Sequence, residues 1–362
     1  MFNPTVRNLR FSGARPPKHA QRALVCTLFM ALASVACGAD PAPEQAWGPI
    51  TVAERTVEPG TSSRFPFTEG RSFRGSYMNT PIYVSRGHVA GPALCLTAGI
   101  HGDELNGMEV ARRAFSLIDP KTLKGTLIAV PFINAEGMRT GNRYLTDRRD
   151  LNRSFPGREG GSIASLIAFS ITSEILPHCE FVVDLHTGSD SRSNVPQIRA
   201  DLDNEAIAEL AMHFGRGIVV GGAGPDGSWR REVAKTGVPA IIYEAGEPLR
   251  FEQMEIKHGV EGVMNVMSYL GMIDAPANTV PADQVYNEST WVRAELEQSG
   301  FFFPIAELGA DVKEGEVLGH VVDPGTDIES PVIAPRDGKL IGMAVSRPVL
   351  SGYGLFHIAW KE

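Results

Sequence analysis

Residues 76–275 of this 362-residue chain read as an α/β/α sandwich around a mostly parallel mixed sheet, and residues 276–362 as a small all-β domain. Three observations predict this. From Pro81 onward, short apolar runs alternate with longer amphipathic stretches, the pattern of strands and helices taking turns along the chain. Three of the runs end in a histidine or a carboxylate (His101, His186 and Glu244), and sheets of this kind place their chemistry beyond the carboxyl ends of strands. After Ala275 the apolar runs shorten and Gly, Pro and Asp turns separate them, which predicts a barrel or sandwich.

Taken in order, residues 1–36 read as an export signal. A basic stretch ends at Arg22, an apolar run follows from Ala23 to Ala36, and Ser34-Val35-Ala36 supplies a small-residue cleavage pattern. The run is short for a membrane span, so no stable span is expected in the mature chain. Two alternatives stand beside cleavage and export to the periplasm. Lipidation at Cys37 is one, although Ser34 stands where such signals usually carry Leu. An uncleaved anchor is the other, and it still leaves the domain outside the cytoplasm. Residues 37–75, rich in Pro, Gly, Ser and Thr, read as a linker leading into the catalytic region.

Ala93–Ala98 is expected as a strand that delivers Gly99-Ile100-His101. Asn106–Leu117 carries Met108, Val110, Ala111 and Phe115 at helical spacing. Strands are expected at Thr126–Phe132, Phe181–Leu185 and Ala240–Tyr243, and helices at Ser162–Ile175, Glu205–Phe214 and Phe251–Leu270. In the C-terminal region the β-rich runs are Trp291–Ala294, Phe301–Ile305, Val317–Val322, Lys339–Ala344 and Leu355–Trp360.

The formal charge is -8, and the first 36 residues hold five basic groups and no acid. Without them, 29 basic residues face 42 acidic ones, leaving a mature chain near -13. Such a surface repels nucleic acid and anionic headgroups. Cys26 and Cys37 lie in or beside the signal, and no CxxC pattern is present. Cys95 reads as a buried small hydrophobe; a Cys95–Cys179 bridge is possible in an oxidising compartment, and sequence leaves it open.

Four fragments carry the chemistry: His101-Gly102-Asp103-Glu104, Asp150-Leu151-Asn152-Arg153, Asp184-Leu185-His186 and Tyr243-Glu244-Ala245-Gly246. His101 and Glu104 are three residues apart in a turn between a strand and a helix, and His186 ends another strand. Together they form a His2Glu set, the donors of a catalytic zinc with one open position, so one Zn2+ per chain is expected. Held this way, zinc polarises a carbonyl and lowers the pKa of water to about 7. The competing reading has Glu104 and Asp103 capping the following helix, but it leaves the second strand-end histidine unexplained. His19 lies in the signal. His88, His178, His213, His258, His320 and His357 lack partners at ligand spacing.

Glu244 closes an apolar run, where a carboxylate is desolvated unless paired and suits proton transfer. A salt bridge to an arginine is the alternative role, and Glu247 is the next candidate base. Arg139, Arg143, Arg148, Arg149, Arg153 and Arg158 crowd one stretch of an acidic protein, as expected for a substrate bearing one or more carboxylates. Some should pair with Asp147, Asp150 and Glu159, and two or three should face the site. Gly221-Gly222-Ala223-Gly224-Pro225 lacks the Lys and Ser/Thr of a phosphate loop and reads as a flexible loop.

With these motifs, and with Phe155-Pro156-Gly157 after Asp-Leu-Asn-Arg, the chain from about Pro81 to Leu270 and on into its β-rich end resembles the succinylglutamate desuccinylase/aspartoacylase family of the zinc carboxypeptidase superfamily. The resemblance implies a zinc-carboxypeptidase-like sandwich, zinc on His101, Glu104 and His186, and Glu244 as general base. It implies that Asn152 and Arg153 hold a substrate carboxylate. It also implies an arginine at the developing oxyanion, best matched by Arg143, with Arg148 as the alternative because the spacing to Asp150 is longer than in aspartoacylases. The region around Gly309–Gly342 also looks like a biotinyl/lipoyl-type sandwich, but it carries no Met-Lys-Met or Asp-Lys-Ala hairpin.

The expected activity is therefore that of an exported zinc amidohydrolase removing an acyl group from an N-acyl amino acid or similar small amide. A carboxypeptidase trimming short or cell-wall peptides needs the same residues. A metal-dependent binding protein that has lost catalysis is the third reading, against which the intact Glu244 stands.

Overall fold

A computed structural model of the chain describes residues 47–71, 77–345 and 347–361. The expected export signal and Cys37 lie outside the described residues. Among these residues no helix is long and apolar enough to cross a membrane.

The described chain opens with a hairpin of β1 (Ile50–Val52) and β2 (Arg55–Val57), followed by the antiparallel pair β3 (Thr61–Arg71) and β4 (Tyr77–Arg86). The segment expected as a linker thus carries three strands. Its polar, proline-containing composition fits a sheet edge: Pro66 lies opposite Pro81 on the outermost strand, where a missing donor is tolerated. The central elements follow as β5 (Val89–Ala98), α1 (Leu105–Ser116), β6 (Lys124–Val130), α2 (Ala135–Thr140), α3 (Ile163–Glu174), β7 (Phe181–His186), β8 (Arg192–Ala200), α4 (Glu205–Met212), β9 (Ile218–Gly221), α5 (Trp229–Lys235), β10 (Ala240–Gly246) and α6 (Gln253–Tyr269). The C-terminal part adds β11 (Val285–Tyr286), β12 (Glu288–Arg293), β13 (Gly300–Pro304), β14 (Asp311–Val312), β15 (Val317–Val322), β16 (Glu329–Ile333), β17 (Gly338–Ala344), β18 (Pro348–Val349) and β19 (Gly354–Trp360).

One large mixed sheet runs in the order β12-β19-β17-β8-β10-β7-β5-β6-β4-β3. Its centre, β6-β5-β7-β10, is parallel. Alternation along these strands builds two cores. Leu94, Leu96, Val183, Leu185, Ile241 and Tyr243 face α1, α4 and α6, whose Val110, Leu210 and Val263 are buried against them. Cys95, Ile128, Val182 and Ala240 face the other layer, where α3 supplies Ile167 and Ile171 and α5 supplies Trp229 and Val233.

The C-terminal strands extend this sheet rather than standing apart. β17 pairs with β8, with Gly342 opposite Asn194, and β19 and β12 follow outward. β11 and β14 pair with β9 and β17 of the same sheet, and the remaining four form an antiparallel sheet, β16-β15-β13-β18, over a core of Phe302, Leu318, Val332 and Phe356.

Cys95 of β5 and Cys179, just before β7, form a disulfide that ties β5 to the entry of its neighbour β7. It closes 84 residues of chain, which chain-entropy reasoning values at roughly 4.5 kcal/mol. Reduction, or Cys179→Ser, is expected to lower the denaturant midpoint and to steepen the slope, because the unfolded chain is released from the loop. An unchanged midpoint in the presence of reductant would show that the bridge does not stabilise the native chain.

Candidate metal centre and substrate cleft

The parallel register brings the site together. Asp184 and His186 on β7 lie opposite Ile242 and Glu244 on β10, and all four alternate onto the same face. The turn after β5 carries His101 and Glu104 to the same edge. Gly102 is required there, because a Cβ would stand 1.9 Å from the Gly137 carbonyl carbon as the turn packs on α2.

Glu104 occupies the N-cap position of α1, but its side chain makes no capping hydrogen bond. It turns instead between two imidazoles. Its Oε1 is 2.7 Å from His101 Nδ1 and its Oε2 is 2.6 Å from His186 Nδ1. Behind the rings, Asp150 Oδ1 stands 3.2 Å from His101 Nε2, and Asp184 Oδ2 2.8 Å from His186 Nε2. Thr97 donates to the other Asp184 oxygen at 2.8 Å. The Nδ1 atoms and the Glu104 carboxylate are thus gathered at one point, each histidine oriented by a carboxylate as metal-bound histidines are. Donor atoms of the three residues lie within 4.8 Å of one another, so this buried His2Glu group fits a metal ion.

Electrostatics agree with the geometry. Burial pushes the Glu104 carboxyl up, but His101 and His186 outweigh it and hold it well below the usual range. Burial lowers the His186 imidazole, and Asp184 and Glu104 reverse this to leave it well above its ordinary value. Asp103, by contrast, is pushed up to about 6 by burial and by the Glu104 charge. It neither joins the donor group nor lines the cleft.

A cleft of about 300 Å³ opens over the donors, lined by His101, Glu104, Arg143, Asn152, Arg153, His186 and Glu244 among others. Every expected site residue except Arg148 is there. Gly141 caps α2 at φ 60° and reverses the chain, and the Asn134 amide binds the Arg143 carbonyl at 3.3 Å. Arg143 then enters the cleft, with Nη2 donating to Asp150 Oδ2 at 2.8 Å and Nη1 3.4 Å from Glu104 Oε1. Arg148 sits in the Leu145–Arg149 turn at φ 62°, exposed and outside the cleft, so of these two arginines Arg143 alone lines it. Arg139 and Arg149 pair with Glu136 and Asp147. Two arginines of the basic stretch, Arg143 and Arg153, therefore face the site.

Asn152 is buried and its Oδ1 accepts from the Trp229 backbone N–H at 2.8 Å, which fixes it to α5; Arg153 is exposed at the rim. Glu244 is paired: its Oε2 accepts from Asn194 at 2.8 Å and stands 3.1 Å from Arg199 Nε. The salt bridge left open by the sequence exists, and both contacts fall on one oxygen. Glu247 pairs with Arg250 and does not line the cleft.

Several lining residues escape a sequence reading. Arg192, Asn194 and Arg199 come from β8, Arg230 from α5, and Trp291 and Arg293 from β12. Trp291 stacks on His357 with ring centres 4.5 Å apart, and the Arg192 guanidinium lies 5.0 Å from its ring. Of the two aspartates behind the histidines, Asp184 carried a sequence signal, since Asp-Leu-His on a strand points both acidic and imidazole groups to one face.

Asp184→Asn is expected to weaken metal affinity about 10–100-fold, the usual cost of losing such a carboxylate, while His101→Ala and His186→Ala lose the metal. Competition titration with a chromogenic chelator measures all three. Wild-type affinity in Asp184→Asn would show that the Asp184–His186 contact does not prepare the donor.

Comparison with known proteins places these features in a family. Residues 90–270 match the succinylglutamate desuccinylase/aspartoacylase catalytic domain. The N-alpha-acetyl-L-2,4-diaminobutyric acid deacetylase of Halomonas elongata is 27% identical over 291 residues, covering 76% of this chain and 84% of that protein. The product-bound ectoine utilization protein EutE (DoeB) of Ruegeria pomeroyi shares the fold at a TM-score of 0.77 and 23% identity, over 86% of this chain and 98% of that one. A succinylglutamate desuccinylase/aspartoacylase of Rhodobacter sphaeroides does so at 0.75 and 22%, over 84% and 97%. With residues 90–270 matched by the family's catalytic domain and the fold shared, the chain belongs to the succinylglutamate desuccinylase/aspartoacylase family.

Proposed function

We propose that the protein is an exported, zinc-dependent amidohydrolase that removes the acyl group from an N-acyl amino acid or a related carboxylate-bearing amide. One observation carries the reading: a buried His2Glu donor set, a carboxylate and the Asn152–Arg153 pair all open onto one cleft of about 300 Å³. That size suits a small amide. The likeness to a deacetylase of an acylated amino acid supports the same reaction type.

Zinc on His101, Glu104 and His186 would supply Lewis-acid polarisation of the amide carbonyl and a more acidic water. The chain's own groups do the rest. Arg153 and Asn152 hold the substrate carboxylate and so fix the amide over the donors. Arg143 directs a permanent charge to where the carbonyl oxygen becomes negative, and Asp150 keeps its guanidinium in place. Glu244 takes the proton from the attacking water on Oε1, since Asn194 and Arg199 both engage Oε2, and hands it to the leaving amine.

Export is supported by the N-terminal signal pattern and by the Cys95–Cys179 disulfide, a bond that persists in oxidising compartments. Fractionation of cells expressing the full chain tests it, with recovery in the cytoplasm as the contrary outcome.

A screen of N-acyl amino acids with the mature zinc-loaded protein is expected to find turnover that chelation abolishes. Glu244→Gln should retain zinc and lose at least about 10²-fold in kcat, the scale of general acid–base catalysis. Near wild-type kcat in that variant would remove Glu244 from the mechanism. Arg153→Lys should raise KM about tenfold or more, because lysine lacks the planar fork, and substrates without the carboxylate should barely respond. Equal losses on both substrate types would instead make Arg153 a folding residue.

A further inference from the structure

His357 lies in β19, only 2% exposed, and does not line the cleft, so it touches no substrate. A buried imidazole needs partners, and His357 has two. Its ring stacks on Trp291 with centres 4.5 Å and planes 9° apart, which fixes the plane of the imidazole. Its Nδ1 stands 3.4 Å from Arg199 Nη2. A guanidinium only donates, so Nδ1 turns its lone pair toward Arg199 and the ring proton sits on Nε2. Burial, and after it the charges of Arg199 and Arg192, hold the imidazole well below its ordinary value. His357 is therefore neutral and remains an acceptor.

The contact reaches the candidate base. Arg199 Nε stands 3.1 Å from Glu244 Oε2, the oxygen that also accepts from Asn194 at 2.8 Å. A long side chain held at one point keeps much of its rotamer freedom, and a second acceptor removes it. The sheet supplies that acceptor. His357 lies between Trp291 on β12 and Gly342 on β17, and Asn194 on β8 is the next residue of the same row. Gly342 keeps the row open: a Cβ there would stand 2.6 Å from Asn194 Oδ1 and 3.2 Å from His357 Cβ. Both groups that engage Glu244 Oε2 are thus set against the C-terminal strands.

We propose that His357 is a positioning residue for the general base: by accepting from Arg199 it holds the guanidinium against Glu244 Oε2, so that Oε1 stays free for the attacking water. The inference rests on the deacylase reading for the task of Glu244, but the chain of contacts from His357 through Arg199 to Glu244 belongs to the fold.

The test uses the zinc-loaded full chain with His357→Leu and His357→Asn. The two replacements have nearly the same shape and both lose the stack on Trp291, but only Asn keeps an acceptor close to the place of Nδ1. His357→Leu is expected to lower kcat about fivefold or more, the scale of one lost hydrogen bond, with KM within about twofold and zinc retained. His357→Asn should recover most of that kcat. Equal kcat in the two variants, or a loss that falls on KM instead, overturns the proposal. If neither variant folds, nitrogen-15 NMR of the wild type decides: an Nδ1 that stays unprotonated from about pH 5 to 8 supports the acceptor, and a protonated Nδ1 removes it. If the wild type turns over no N-acyl amino acid, the deacylase reading fails by itself. A crystal structure of His357→Leu then tests the positioning, which stands if Arg199 leaves Glu244 and falls if the guanidinium keeps its place.

Discussion

A single buried carboxylate, that of Glu104, is held 2.7 Å from one imidazole and 2.6 Å from another, and each imidazole is braced from behind by an aspartate. Desolvating so many charges is unfavourable unless each finds its partner, so the cluster constrains everything around it. The turn after β5 must be tight enough for Gly102 to touch α2. β7 must present Asp184 and His186 on one face, and β5 must place Thr97 within reach of Asp184. The apolar cores on either side of the sheet serve to hold these strands in register.

The same register assembles the rest of the cleft. Glu244 is the β10 neighbour of His186, and Ile242 lies opposite Arg199 on β8. β8 in turn pairs with β17, so the C-terminal strands are continuous with the wall that holds Arg199 and Asn194. Through β12 they bring Trp291 and Arg293 to the cleft. The C-terminal segment is therefore part of the site's construction, and a cut near residue 275 would remove one wall of it.

Much of this was legible in the sequence. The parallel centre announced itself because β5, β7 and β10 are buried on both faces and read as apolar runs. The donor set was legible because its residues end those runs. What was missed has physical causes. Polar edge strands such as β3 lack the apolar pattern. β8, Arg192–Ala200, carries Pro196 in its interior, where proline argues against a central strand; it is accommodated at a bulge between Asn194 and Gln197. The strand was therefore not foreseen, nor were Arg192 and Arg199. Arg230 was hidden in the ordinary-looking run Trp-Arg-Arg-Glu. Its one signal was two arginines at a helix start, where cations are disfavoured. Glu244 was foreseen at its position but not with its partner, because sequence does not say which arginine of a distant strand lies alongside.

The most direct test of the account is anomalous diffraction across the zinc absorption edge on crystals of the zinc-loaded mature chain. One anomalous peak per chain is expected, coordinated by His101 Nδ1, His186 Nδ1 and the Glu104 carboxylate, with Glu244 and Arg143 on its open side. A peak held by other residues, or an occupied zinc elsewhere and none between these donors, would contradict it.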